Sequence, residues 1–114
     1  MDKSKDTLVA KAYDLLKYSL PMLENLPRSK KYTLGERIQN QLSDLMELLI
    51  EAYFLPPDEK KPVLNRVNIR LETLRHYYRL VYECGHYNSL RYKDYSVRID
   101  EIGRMGGGWL KSLK

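Results

Sequence analysis

Apolar residues recur along this chain at helical spacing, about 100° per residue, and divide it into four amphipathic segments. The first runs from Asp6 to Asn25, with Leu8, Val9, Ala12, Leu15, Leu16, Ser19, Leu23 and Leu26 on one face. Lys11, Asp14, Lys17 and Tyr18 lie away from that face. Pro21 falls on the outer side, where a proline bends a helix toward its core, and Pro27 stops the segment. The second segment runs from Leu34 to Leu55 with Leu34, Ile38, Leu42, Leu45, Met46, Leu49, Ala52 and Tyr53 inward. Its start reads as a capping box, with Thr33 as N-cap and Glu36 three residues on. Its outer side, Glu36, Asp44, Glu47 and Glu51, is acidic, and Pro56-Pro57-Asp58 ends it.

The third segment spans Lys60 to Cys84, with Pro62 tolerated in its first turn. Val63, Val67, Leu71, Leu74, Tyr78, Val81 and Tyr82 form its core stripe. Gly85 and Asn88 mark a turn, and Ser89 is the expected cap of a fourth helix from Leu90 to Leu113. Tyr92, Tyr95, Ile99, Ile102, Gly106, Trp109 and Leu113 point inward there. Four helices of roughly 20 to 25 residues joined by short links predict an all-α fold, an up-down-up-down antiparallel four-helix bundle. One domain over residues 1–114 is expected, since the length allows a single core.

Two features stand outside that pattern. Ile69, His76, Tyr77, Leu80 and Cys84 form a second apolar set off the core stripe of the third helix, which reads equally as a subunit interface or as a wide core stripe. The last helix holds Gly103, Gly106, Gly107 and Gly108, four glycines in six positions. Each costs about 1 kcal/mol relative to alanine within a helix. A close approach by another helix or a partner is the expected compensation, and Gly103 and Gly107, four apart, have the spacing for helix contact.

Composition sharpens this picture. Nineteen leucines against five valines and five isoleucines favour helix over sheet. The formal net charge of +5 and isoelectric point near 9.3 point to an acidic partner, nucleic acid first and acidic protein second. The single cysteine, Cys84, excludes an intramolecular disulfide and fits a reducing compartment. The opening Met1-Asp2-Lys3-Ser4-Lys5-Asp6 is charged, unlike an apolar leader, and no run is long enough to span a bilayer. A cytoplasmic location without membrane contact is the expectation.

Catalytic constellations are poorly represented. Glu83-Cys84-Gly85-His86 matches one Glu-x-x-His element of a di-iron bundle, but it has no second copy and Gly85 breaks the helix there. Cys84 and His86 offer two zinc ligands where a structural site needs four. Cys84 as a nucleophile lacks an oriented base. The glycine cluster lacks the strand-loop-helix context and Gly-Lys-Ser/Thr ending of a phosphate-binding loop. No enzyme, metal or cofactor is therefore expected. Basic groups remain: Arg28, Lys30 and Lys31 in the first loop with Arg37 beyond, Arg75 and Arg79 on the third helix, and Lys93, Arg104 and Lys111 along one edge of the fourth. Any one reads as a solvated face; three groups opposite an acidic second helix point to nucleic-acid binding, with ten tyrosines as possible stacking surfaces.

The blocks Pro27-Arg28-Ser29-Lys30-Lys31-Tyr32-Thr33-Leu34-Gly35-Glu36-Arg37-Ile38-Gln39, Asp44 through Tyr53, and Glu101 through Ser112 resemble the accessory variability determinant proteins of diversity-generating retroelements. More distant relatives are four-helix bundle proteins encoded by intervening sequences of ribosomal RNA genes. The usual ending of the family has a larger apolar residue where this chain has Gly106. The resemblance implies a homopentamer of four-helix bundles and association with the retroelement's reverse transcriptase and template RNA, or DNA. It implies a non-catalytic subunit that enables the error-prone cDNA synthesis of mutagenic retrohoming, with Arg75 and Arg79 at the positions implicated in these contacts. The alternative is a structural interaction module of the intervening-sequence type, with no polymerase partner.

Overall fold

The computed structural model describes the backbone of residues 3–113 and the side chains from Thr7 onward; Met1, Asp2 and Lys114, at the two ends of the expected domain, lie outside the described residues. Four long helices carry the chain: α1 (Lys3–Glu24), α2 (Glu36–Phe54), α3 (Pro57–Glu83) and α4 (Ser89–Ser112). No strand occurs among the described residues. Consecutive helices pack against each other and α4 packs back against α1, which closes an antiparallel bundle. Its extents of 45 × 25 × 19 Å fit its longest helix, 27 residues at about 1.5 Å each.

The core follows from the apolar stripes. Leu8, Ala12, Leu15, Ile38, Leu42, Leu45, Leu49, Val67, Leu71, Leu74, Ile99 and Ile102 are fully shielded, and Met22, Leu48 and Leu64 join them although the helical wheel did not assign them inward. Tyr78 and Tyr95 meet edge to face at 4.8 Å between ring centres, deep in the bundle. The Tyr78 hydroxyl shares a hydrogen bond with Ser19, the small polar residue in α1 that sits among leucines. The Tyr87 hydroxyl donates to the Tyr78 carbonyl. These polar tips are satisfied inside an apolar interior, as burial requires.

Helix boundaries differ from the sequence expectation in three places. Thr33 is not an N-cap. Helical conformation begins at Arg28, because the Pro27 carbonyl already accepts from both Lys30 and Lys31 at 2.8 Å. A π turn over Lys31–Gly35 then feeds α2, and the Thr33 hydroxyl donates back to the Ser29 carbonyl at 3.0 Å instead of capping forward. The cap of α4 is Asn88, not Ser89: its Oδ1 accepts from the Arg91 amide at 2.8 Å. α3 starts at Pro57, so Pro62 is its sixth residue, past the first turn and on the exposed side. Pro21 is exposed within an unbroken α1, as its outward position predicts.

Among the described residues Lys60 is the one charged side chain that is buried, only 6% exposed. Its ammonium donates to the Ala52 carbonyl at 2.7 Å and the Tyr53 carbonyl at 3.2 Å, and lies 5.6 Å from the centre of the Trp109 ring. It caps the C-terminus of α2, where the helix dipole favours a cation. One side chain from α3 thus joins the end of α2 to the end of α4.

Candidate interaction surfaces

The expected basic residues are dispersed over the bundle, and their local partners divide them into two groups. Arg75 is committed within the chain. Its Nε donates to Asp100 Oδ1 at 3.1 Å and its Nη1 to Glu72 Oε1 at 3.2 Å, which ties α3 to α4. Arg79 lies one turn further, its Nε donating to Glu83 Oε2 at 3.0 Å. That hydrogen bond holds the Arg79 guanidinium above its ordinary pKa. The Arg79 pair is a surface ion pair, readily exchanged for another anion; Arg75, held by two carboxylates, is a strut between helices.

Lys93, Arg104 and Lys111 are exposed along one edge of α4 and enter none of the ion pairs among the described residues. Asp100, the only acid interrupting that edge, is held by Arg75. Arg75 therefore keeps the α4 edge cationic. Arg28, on the α1–α2 connection, and Arg37, in the first turn of α2, are exposed, while Lys30 and Lys31 are half-buried, with the Lys31 ammonium 5.8 Å from the Tyr32 ring centre.

The helical wheel placed Tyr18 away from the core and did not single out Arg91 or Arg98. The structure brings the three together. Arg98 lies 4.1 Å and Arg91 4.8 Å from the centre of the Tyr18 ring, and Asp94 stands between the two arginines in sequence. The Tyr18 phenol is hydrogen-bonded to Asp94, which raises its pKa with help from burial. The sequence signal was available: two arginines seven apart on one face of α4 with an acid midway. Beside this cluster an open groove of about 570 Å³ is lined by Leu90, Arg91, Lys93, Asp94, Val97 and Asn88 with Tyr18.

The glycines behave unequally. A Cβ at Gly103 would meet Arg75 Nη2 at 3.1 Å and Leu71 Cδ1 at 3.7 Å. The close approach there is to α3 of the same chain. At Gly106, Gly107 and Gly108 a Cβ would meet nothing within 4 Å. The second apolar set is exposed: Ile69 is 59% accessible and Leu80 44%, with His76 and Cys84 also exposed and Tyr77 half-buried. Ile69, His76 and Tyr77 line an open groove of about 610 Å³ with Asn68, Glu72 and Thr73.

Among the described residues no group of histidines, cysteines and carboxylates could hold a metal ion, and no helix is long and apolar enough to cross a membrane. The architecture defines a class: a four-helix bundle whose polar chemistry lies on its outer faces and whose core is filled by leucine, isoleucine and tyrosine. Within that class, a family model described as bAvd-like matches residues 7–113, and the chain belongs to this family of Avd-type accessory proteins. Comparison with curated proteins gives no match.

Proposed function

We propose that this protein is a non-catalytic accessory subunit of a diversity-generating retroelement, binding its reverse transcriptase and template RNA through basic surfaces so that mutagenic cDNA is made. Membership of the bAvd-like family over residues 7–113 carries this reading. The exposed cations Lys93, Arg104 and Lys111, outside the ion pairs among the described residues and on a chain of net charge +5, support it. Arg79 remains a candidate contact, because an arginine fork can exchange one carboxylate for a phosphate. Arg75 acts at one remove, by neutralising Asp100. Arg28, Lys30 and Lys31 of the α1–α2 connection, with Arg37 at the start of α2, complete the basic surface.

Self-association into a ring, with five copies as the family resemblance implies, is part of the same proposal. Ile69, Tyr77 and Leu80 supply apolar surface for it outside the core. The decisive experiment is reconstitution: purified reverse transcriptase and template RNA, with and without this protein. cDNA that appears only when the protein is added is the expected result. cDNA yield and adenine misincorporation that are the same without it would overturn the proposal.

A further inference from the structure

The seam between α1 and α4 holds a second groove, of about 310 Å³, whose wall includes Pro21, Asn25, His86 and Tyr87. It shares Asn88 and Arg91 with the groove beside Tyr18, so the two form one trough. Resting on the reading above, we propose that this trough binds unpaired nucleotides of an RNA strand, and that Arg91 and Lys93 hold their phosphates.

The chemistry of the trough selects that ligand. The Arg91 guanidinium has no carboxylate in ion-pair contact among the described residues. Its Nε reaches the Tyr95 hydroxyl at 3.5 Å, and its carbon lies 4.8 Å from the Tyr18 ring centre and 5.7 Å from that of Tyr95. Aromatic rings fix its position; Asp94, on the same groove, acts on it through space but is itself paired with Arg98 at 3.4 Å, which leaves Arg91 a placed cation for an incoming anion. Lys93 adds a second, exposed charge on the same groove. The walls are apolar beyond what a phosphate alone needs: Leu90 is 75% and Val97 54% exposed. A flat base face would cover them. His86 and Tyr87 line the second groove, where their rings add further surface for a base face.

Paired bases cannot use this site, because their faces are stacked inside the helix and their edges are engaged. The Schellman turn that ends α3 fixes the geometry: Gly85, at φ +82°, lets its own amide reach the Tyr82 carbonyl and the His86 amide reach the Val81 carbonyl. His86 and Tyr87 follow directly from that turn. At the other end the chain runs from the trough wall at Leu26 through Pro27 into Arg28, Lys30 and Lys31, extending a cationic path for the backbone.

The test is fluorescence anisotropy with a short unstructured RNA oligonucleotide and the full-length protein, competed by a blunt RNA duplex of equal length. Arg91→Gln with Lys93→Gln should weaken binding about tenfold or more and lower the slope of log affinity against log salt by about 1.4. Lys93→Gln alone, on an exposed side chain outside the ion pairs, should weaken it about threefold with unchanged helicity, so loss of fold cannot mimic the result. Lys61→Gln, which removes an exposed cation outside the lining of both grooves, should leave affinity within twofold. A parent protein that binds no RNA would overturn both this site and RNA binding as a function. A parent that binds while the Arg91/Lys93 variant binds equally well overturns the trough and leaves the broader reading standing. A duplex that competes as well as the single strand overturns the unpaired-nucleotide assignment. Loss of reverse transcriptase association with RNA affinity intact makes the trough a protein-docking site and overturns the proposal.

Discussion

Lys60 is the residue whose environment departs furthest from the ordinary behaviour of its type, since lysine is almost never fully buried without partners. It is tolerated because the α2 carbonyls of Ala52 and Tyr53 and the face of Trp109 surround its ammonium. Lys60→Met keeps the length and removes the donor, leaving helix-terminal carbonyls shielded and unsatisfied. A loss of about 1.5–3 kcal/mol is expected, read as a lower urea midpoint at fixed protein concentration. An unchanged midpoint would mean that the ammonium contributes nothing net. The buried tyrosines make a second prediction at this scale. Burial pushes the Tyr78 and Tyr87 phenols well above their ordinary value of 10.0. Both states hold these protons below that value, so the contribution is complete at neutral pH. As pH rises past it, the unfolded chain releases protons that the native chain keeps, and stability falls. Phenolate absorbance should therefore show these two tyrosines ionising only as circular dichroism reports unfolding.

At the scale of the element, the chain's periodicity revealed the four helices and their order, because leucine at every third and fourth position has little alternative to a buried helix face. The ends were less legible. Thr33 and Glu36 have the spacing of a capping box, but Pro27 nucleates helix six residues earlier and the π turn absorbs the misfit. Gly35, at the end of that turn, is buried, and a Cβ there would press on Leu26 Cδ1 at 3.2 Å. Of the expected site residues, the α4 edge and the α3 apolar set could be read from a wheel, whereas the commitment of Arg75 to Asp100 could not, since it joins residues 25 apart. The α4 glycines give a test at this scale. In a single copy Gly107 has open space, so Gly107→Ala should raise stability by roughly 1 kcal/mol through helix propensity. Gly107→Leu separates the remaining explanations: retained folding with lost assembly, by circular dichroism and light scattering, places the glycine at a contact between copies. Normal assembly of that variant would remove Gly107 from the interface.

At the scale of the whole molecule, one copy presents two unlike surfaces, and their combination matters more than either alone. The α3 face of Ile69, Tyr77 and Leu80 is apolar, while the α4 edge of Lys93, Arg104 and Lys111 is cationic. If the apolar face joins copies head to tail, a closed ring repeats the cationic edge on every subunit. A charge of +5 per chain is then multiplied, and RNA meets several linked sites instead of one. Leu80→Asp tests that coupling, because it places a carboxylate on a side chain 44% exposed in the single copy and therefore spares the core. Helicity should be unchanged and light scattering should report smaller species. RNA affinity should fall by about 100-fold, the lower end of what linked sites provide, although no cation has been removed. Restoring the local concentration, by immobilising the variant densely on a surface, should recover much of that loss. A dissociated variant that binds RNA in solution as tightly as the parent would show that each bundle acts alone and that the ring serves some other purpose.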